Sequence, residues 1–163
     1  MVPDIIKLIV SLGLTFAAGL FTSLFYTKIL DPWYMKLRKP FFTPNVKTFI
    51  FFRFFLYLAM GLSLYFIWSV GEEHSDFHMS LLLFGILIFL NLVSSHLLFI
   101  MRAPRLALVE LLMLWAVSAF TVYMFSAISL LSAALLSIHL LWVTFLIVVM
   151  FFIVVWNPGK REV

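Results

Sequence analysis

A chain of 163 residues that is 65% hydrophobic and 11% charged, with a mean hydropathy of +1.18, carries more apolar surface than a soluble domain of its size can bury. Its net charge of +4 sits in short segments between apolar runs rather than on one face, which argues against nucleic acid and for membrane topology. Without cysteine there is no disulfide framework, no thiolate metal site and no cysteine nucleophile.

The first apolar run, residues 5–30, is about the length of a membrane span, and no basic segment precedes it as in a secretory leader. Small residues recur every fourth position, at Ser11, Thr15, Gly19 and Ser23. They form a stripe against which another helix can pack closely. The stripe is read as intramolecular packing, with a homodimer interface as the alternative.

Residues 31–45 follow, the start of the one stretch that is charged and also rich in aromatics and proline. Pro32, Pro40 and Pro44 preclude a continuous helix, and Lys36, Arg38, Lys39 and the Trp33-Tyr34 pair suit the headgroup boundary. The segment is expected to lie across one end of a helical bundle as an interfacial loop. A second span is expected at 46–70, then the acidic Glu72-Glu73-His74-Ser75-Asp76, and a third at 79–101. Arg102-Ala103-Pro104-Arg105 is a basic turn. From Leu106 to Trp156 the chain is almost uninterruptedly apolar, too long for one span of ~20 residues. The weak polar cluster at Ser126–Ser132 is the expected break, giving spans at 105–126 and 132–156. The whole chain, 1–163, is read as a single all-α membrane domain of five transmembrane helices. All but one of the eleven Lys and Arg fall on the side of the first loop, the third-to-fourth turn and the C-terminal tail. That bias predicts an outside N-terminus, with the first loop and the C-terminus cytoplasmic.

Trp33-Tyr34-x-x-Leu37-x-Lys39-Pro40-x-Phe42-x-Pro44 resembles the WYxxLxKPxWxPP signature of the translocator protein (TspO/MBR, peripheral benzodiazepine receptor) family. Leu56-Tyr57-x-x-Met60-Gly61 is similar to its LYxxMG. Leu90-Asn91, Ala107-Leu108-Val109-Glu110, Leu135-Leu136, Trp142, Phe145 and Asn157 extend the resemblance over essentially the whole chain. It implies a five-helix bundle with a cavity beneath the first loop, binding tetrapyrroles (porphyrin or haem) or sterol-like lipids for sensing, sequestration or transport. The alternatives are a tryptophan-assisted porphyrin-degrading enzyme and a ligand-free regulatory scaffold. No cofactor is required on this reading; porphyrin or haem enters as ligand, and the partners are the bilayer and an apolar small molecule. The departures are Asn45 for the second proline of the signature, Arg53 for a second-span tryptophan that faces the family's cavity, and Ser94-Ser95-His96 for a third-span Trp-Pro.

The candidate ligand-binding residues are Trp33, Tyr34, Pro40, Phe42, Pro44, Phe49, Arg53, Asn91, Glu110, Trp142 and Phe145. Arg53 and Glu110 enter the membrane from the same end to similar depth. Either they meet inside the bundle, each offsetting the other's desolvation, or they snorkel to the interface. Arg53 could also bind a ligand carboxylate, such as a porphyrin propionate. Asn91 is expected to hydrogen-bond between helices. His96 and His139 lie at different depths, so a packed histidine is expected rather than a pair of axial ligands on one iron. No nucleophile–base pair, phosphate loop or metal-binding motif appears, so no catalytic or metal residue is assigned.

Overall fold

The computed structural model describes residues 3–23 and 32–158. Its elements are α1 (Asp4–Ser23), α2 (Pro32–Met35), α3 (Val46–Val70), α4 (Phe77–Phe99), α5 (Pro104–Ile128) and α6 (Leu130–Trp156). All but α2 are long and apolar enough to cross a bilayer. The protein is therefore an all-helical, multi-pass integral membrane protein. Residues 24–30 of the expected first span lie outside the described residues, as do residue 31 and the tail after Pro158.

Local chemistry sets the ends. The Asn45 side chain accepts the Thr48 amide at 2.9 Å and caps α3. The residue that breaks the family's proline pattern thus starts a helix. Ser129 closes α5, its N–H bonded to the Phe125 carbonyl, and opens α6 by accepting the Ser132 amide at 3.4 Å. One extended residue inside the expected polar window reverses the chain. Between α4 and α5 the reversal passes through Arg102 at φ 50°, a left-handed conformation uncommon outside glycine.

Going round the bundle, neighbours follow the order α1, α3, α6, α5, α4, with α4 returning to α1; α3 and α5 share little contact. The small-residue stripe of α1 faces α3. Ser11 and Thr15 are fully buried, and a Cβ on Gly61 of α3 would lie 2.6 Å from Thr15 Oγ1. Only glycine permits that approach. The stripe therefore serves packing within the chain.

The segment after α2 is pinned across one end of the bundle. Trp33 and Leu37 are buried. The Asn157 side chain accepts the Arg38 amide and donates to the Arg38 carbonyl, both at 2.9 Å, while also donating to Ile153 of its own helix at 2.8 Å. Where only loop was expected, the chain makes the short helix Pro32–Met35 before its remaining prolines force it open. At the opposite end, Lys7 pairs with Glu72 at 2.9 Å and donates to the Trp68 carbonyl at 3.2 Å.

Candidate ligand site

Inside the ring of helices, below the lid segment, is a narrow hollow. Its lining comprises Arg53, Tyr57 and Met60 of α3, Asn91 and Ser94 of α4, Leu111 and Leu114 of α5, and His139, Trp142 and Leu146 of α6, among others. Its volume of about 20 Å³ has room for one water. A ligand-sized cavity was expected here; this hollow is far smaller, with Tyr57, Met60, Trp142 and Leu146 among its walls.

Two polar groupings meet at the hollow. Arg53 donates from a terminal guanidinium nitrogen to the Tyr57 hydroxyl at 2.9 Å, one helical turn on, and its guanidinium carbon lies 5.9 Å and 5.4 Å from the Phe49 and Tyr57 ring centroids. The Tyr57 hydroxyl also meets Thr22 of α1 at 3.3 Å. From the other side, His139 sits within 3.2–3.3 Å of the Asn91 side-chain amide and 3.4 Å from the Ser118 hydroxyl, joining α4, α5 and α6. Asn91 makes the interhelical hydrogen bond expected of it. His139 is buried and His96 is exposed, so the two do not face a common point.

Aromatic rings continue from the hollow toward the lid. Phe52 stacks on Trp142 (centroids 5.4 Å apart, 18° between planes), and Phe49 and Phe145 pack on the same indole at 5.6 and 5.5 Å. Phe42 of the lid reaches Phe145 at 6.3 Å and Phe152 at 6.0 Å.

Of the candidate residues, Arg53, Asn91 and Trp142 line the hollow directly. Phe49, Phe145 and Phe42 join it through rings. Trp33, Tyr34, Pro40 and Pro44 belong to the lid. Trp33 and Pro40 are buried in it, and Lys39 lies 4.1 Å over the Tyr34 ring while donating to the Tyr34 carbonyl at 2.9 Å. Burial pushes the Tyr34 phenol up to about 12, so it stays neutral.

Glu110 does not meet Arg53. The glutamate is only 6% exposed, and its two carboxyl oxygens are buried with no hydrogen-bond partner. The reason is the order of the helices, since α3 and α5 flank α6 and barely touch. Arg53 is turned to Tyr57, and Glu110 faces Ser94 of α4, which approaches without closing a hydrogen bond. Sequence reasoning did not select Phe52, Tyr57, Ser94 or Ser118. Tyr57 stood inside the second motif and could have been found by its spacing of four from Arg53; the others carry no comparable signal.

The model of the TspO/MBR family matches residues 11–156. The tryptophan-rich protein TspO of Chlorobaculum tepidum is 30% identical over 158 residues, covering 97% of this chain and 100% of that protein.

Proposed function

The chain belongs to the TspO/MBR family, and from that membership we propose that it takes up flat, largely apolar molecules between its helices. The class is tetrapyrroles, porphyrin or haem, or sterol-like lipids, held for sensing, sequestration or transport, with the lid end cytoplasmic. The observation that carries this reading is the group of Phe49, Phe52, Trp142 and Phe145 rings beside Arg53. Stacked rings offer faces to a planar molecule, and a guanidinium among them attracts a ligand acid. Because the hollow is small, a bound molecule must part the lining helices, and uptake selects an opened form of the bundle.

Titrating protoporphyrin IX into the detergent-purified protein tests the reading. The expected result is a shifted Soret band and tryptophan quenching, both weakened in Trp142→Ala and in Arg53→Gln. Light-dependent bleaching of the porphyrin would support the enzymatic alternative. An unshifted Soret band, together with an unquenched fluorescent sterol control, would refute binding and favour a scaffold.

A further inference from the structure

Glu110 is the buried group whose environment asks most for something absent. Many other buried polar side chains of this bundle are served. Lys7 has Glu72 and the Trp68 carbonyl; His139 has Asn91 and Ser118; Asn157 makes three hydrogen bonds. Several serine hydroxyls are unbonded, but a hydroxyl is a small loss beside a carboxyl. Glu110 has two acceptor oxygens, both unmet, in a side chain 6% exposed.

The surroundings narrow what could serve it. Ser94, the nearby hydroxyl, lines the hollow, as does Leu111, the next residue of α5. An ionised carboxylate only accepts, so the group that would satisfy the charged form of Glu110 must donate. Among the described residues no cluster of three His, Cys, Asp or Glu exists, and one carboxylate with one hydroxyl is too few oxygens for a divalent cation. The hollow has room for one water, which would meet an oxygen without offsetting its charge; a cationic organic N–H group would do both.

We propose that Glu110, with Ser94, forms a second subsite that accepts the N–H of a protonated amine on the bound molecule. This rests on the hollow being a binding site. It gives that site two poles of opposite sign, Arg53 in its lining on α3 for an acid and Glu110, just behind the Ser94 and Leu111 lining, on α5 for an amine. A molecule that enters by parting the lining helices reaches both.

The test uses two flat fluorescent probes of one ring system, 1-pyrenebutyrate and 1-pyrenemethylamine, with tryptophan quenching read in detergent. Glu110→Gln preserves shape and removes the charge. It is expected to weaken the amine roughly tenfold, the scale of one charge-assisted hydrogen bond, and to leave the acid unchanged. Arg53→Gln is expected to do the opposite. Equal weakening of both probes by Glu110→Gln, or an unchanged amine affinity, overturns the subsite even while the acid still depends on Arg53. Should Glu110→Gln fail to fold, Glu110→Asp draws the charge back by one methylene; an amine affinity equal to the parent's then overturns it. If neither probe quenches tryptophan in the parent, the reading of the hollow as a binding site fails as well.

Discussion

Substituting Gly61 by alanine tests whether α1 and α3 are held at a distance only glycine allows. The added Cβ would lie 2.6 Å from Thr15 Oγ1, 2.8 Å from Leu12 Cδ2 and 3.2 Å from the Leu12 Cα. The leucine tip can rotate away. The threonine cannot do so freely, because its hydroxyl bonds the Ser11 and Leu12 carbonyls at 3.1 Å each. The Leu12 backbone gives only if the helix moves. Overpacking of this kind costs about 1–3 kcal/mol, while replacing a helical glycine by alanine returns about 0.5–1 kcal/mol. A net loss of about 0–2.5 kcal/mol follows, or up to about 10 °C in apparent melting temperature for a chain of this length. Against an alanine that meets no neighbour the deficit is about 1–3 kcal/mol. Thermal unfolding in one detergent, followed by tryptophan fluorescence, measures it. Gly13→Ala and Gly85→Ala are the controls, because a Cβ at either position meets nothing within 4 Å; both are expected to be neutral or stabilising. A Gly61→Ala protein as stable as Gly13→Ala would refute the close approach.

Three further outcomes follow from the bonded groups. Asn157→Ala removes both bonds to the Arg38 backbone and should cost about 1–3 kcal/mol, with faster hydrogen exchange at the Arg38 amide as the direct readout. Asn91→Leu and His139→Leu each strand a buried partner and should each cost about 1–3 kcal/mol; the double variant should lose less than their sum, giving a coupling above about 0.5 kcal/mol in a double-mutant cycle. At the other end, the hydrogen bond from Lys7 holds the Glu72 carboxyl below its ordinary value of 4.5. The stabilisation is therefore complete above that value and lost as pH falls through the depressed one. Glu72→Gln should unfold at lower temperature than the parent at neutral pH, and the gap should close in acid.

The family, the helical class and the membrane setting were legible because each rests on a signal that survives without neighbours. Span length follows from bilayer thickness, and Trp33 to Pro44 is a dense motif. The stripe of Ser11, Thr15 and Gly19 also announced a close partner, since small residues at that spacing have little other use in lipid. Which helix it faced was not written there. The same silence left open whether Arg53 meets Glu110. Depth along the membrane can be counted from Pro44 and Pro104, but the order of helices round the bundle cannot. Helices apolar on all sides carry no stripe to show which face turns inward. Asn91 and His139 are single polar residues on different helices, so their bond needed the packed structure. The hollow's small volume was equally hidden, because the sequence shows which rings could line a cavity but not how closely they pack.

That Arg53 sits in a membrane helix without a bond to Glu110 has a physical account. Placing an arginine at the centre of a membrane helix costs about 2.5–3.5 kcal/mol on insertion scales, and Arg53 is only two turns into α3 from the lid end. A hydrogen bond from a charged donor contributes about 1.5–3 kcal/mol, as to the Tyr57 hydroxyl. A cation near aromatic rings gains about 0.5–2 kcal/mol more, here from Phe49 and Tyr57. These contributions match the cost, so a carboxylate is not needed to seat the arginine where the family pattern has tryptophan. Tyr57 is held in turn by Thr22 and by the close passage of Gly19, where a Cβ would be 2.7 Å from its ring. The residues that bring α1 against α3 therefore also fix the acceptor that orients Arg53. Glu110 has no such offset, since neither of its oxygens has a hydrogen-bond partner, and that asymmetry makes it, rather than Arg53, the group proposed to take its partner from a bound molecule.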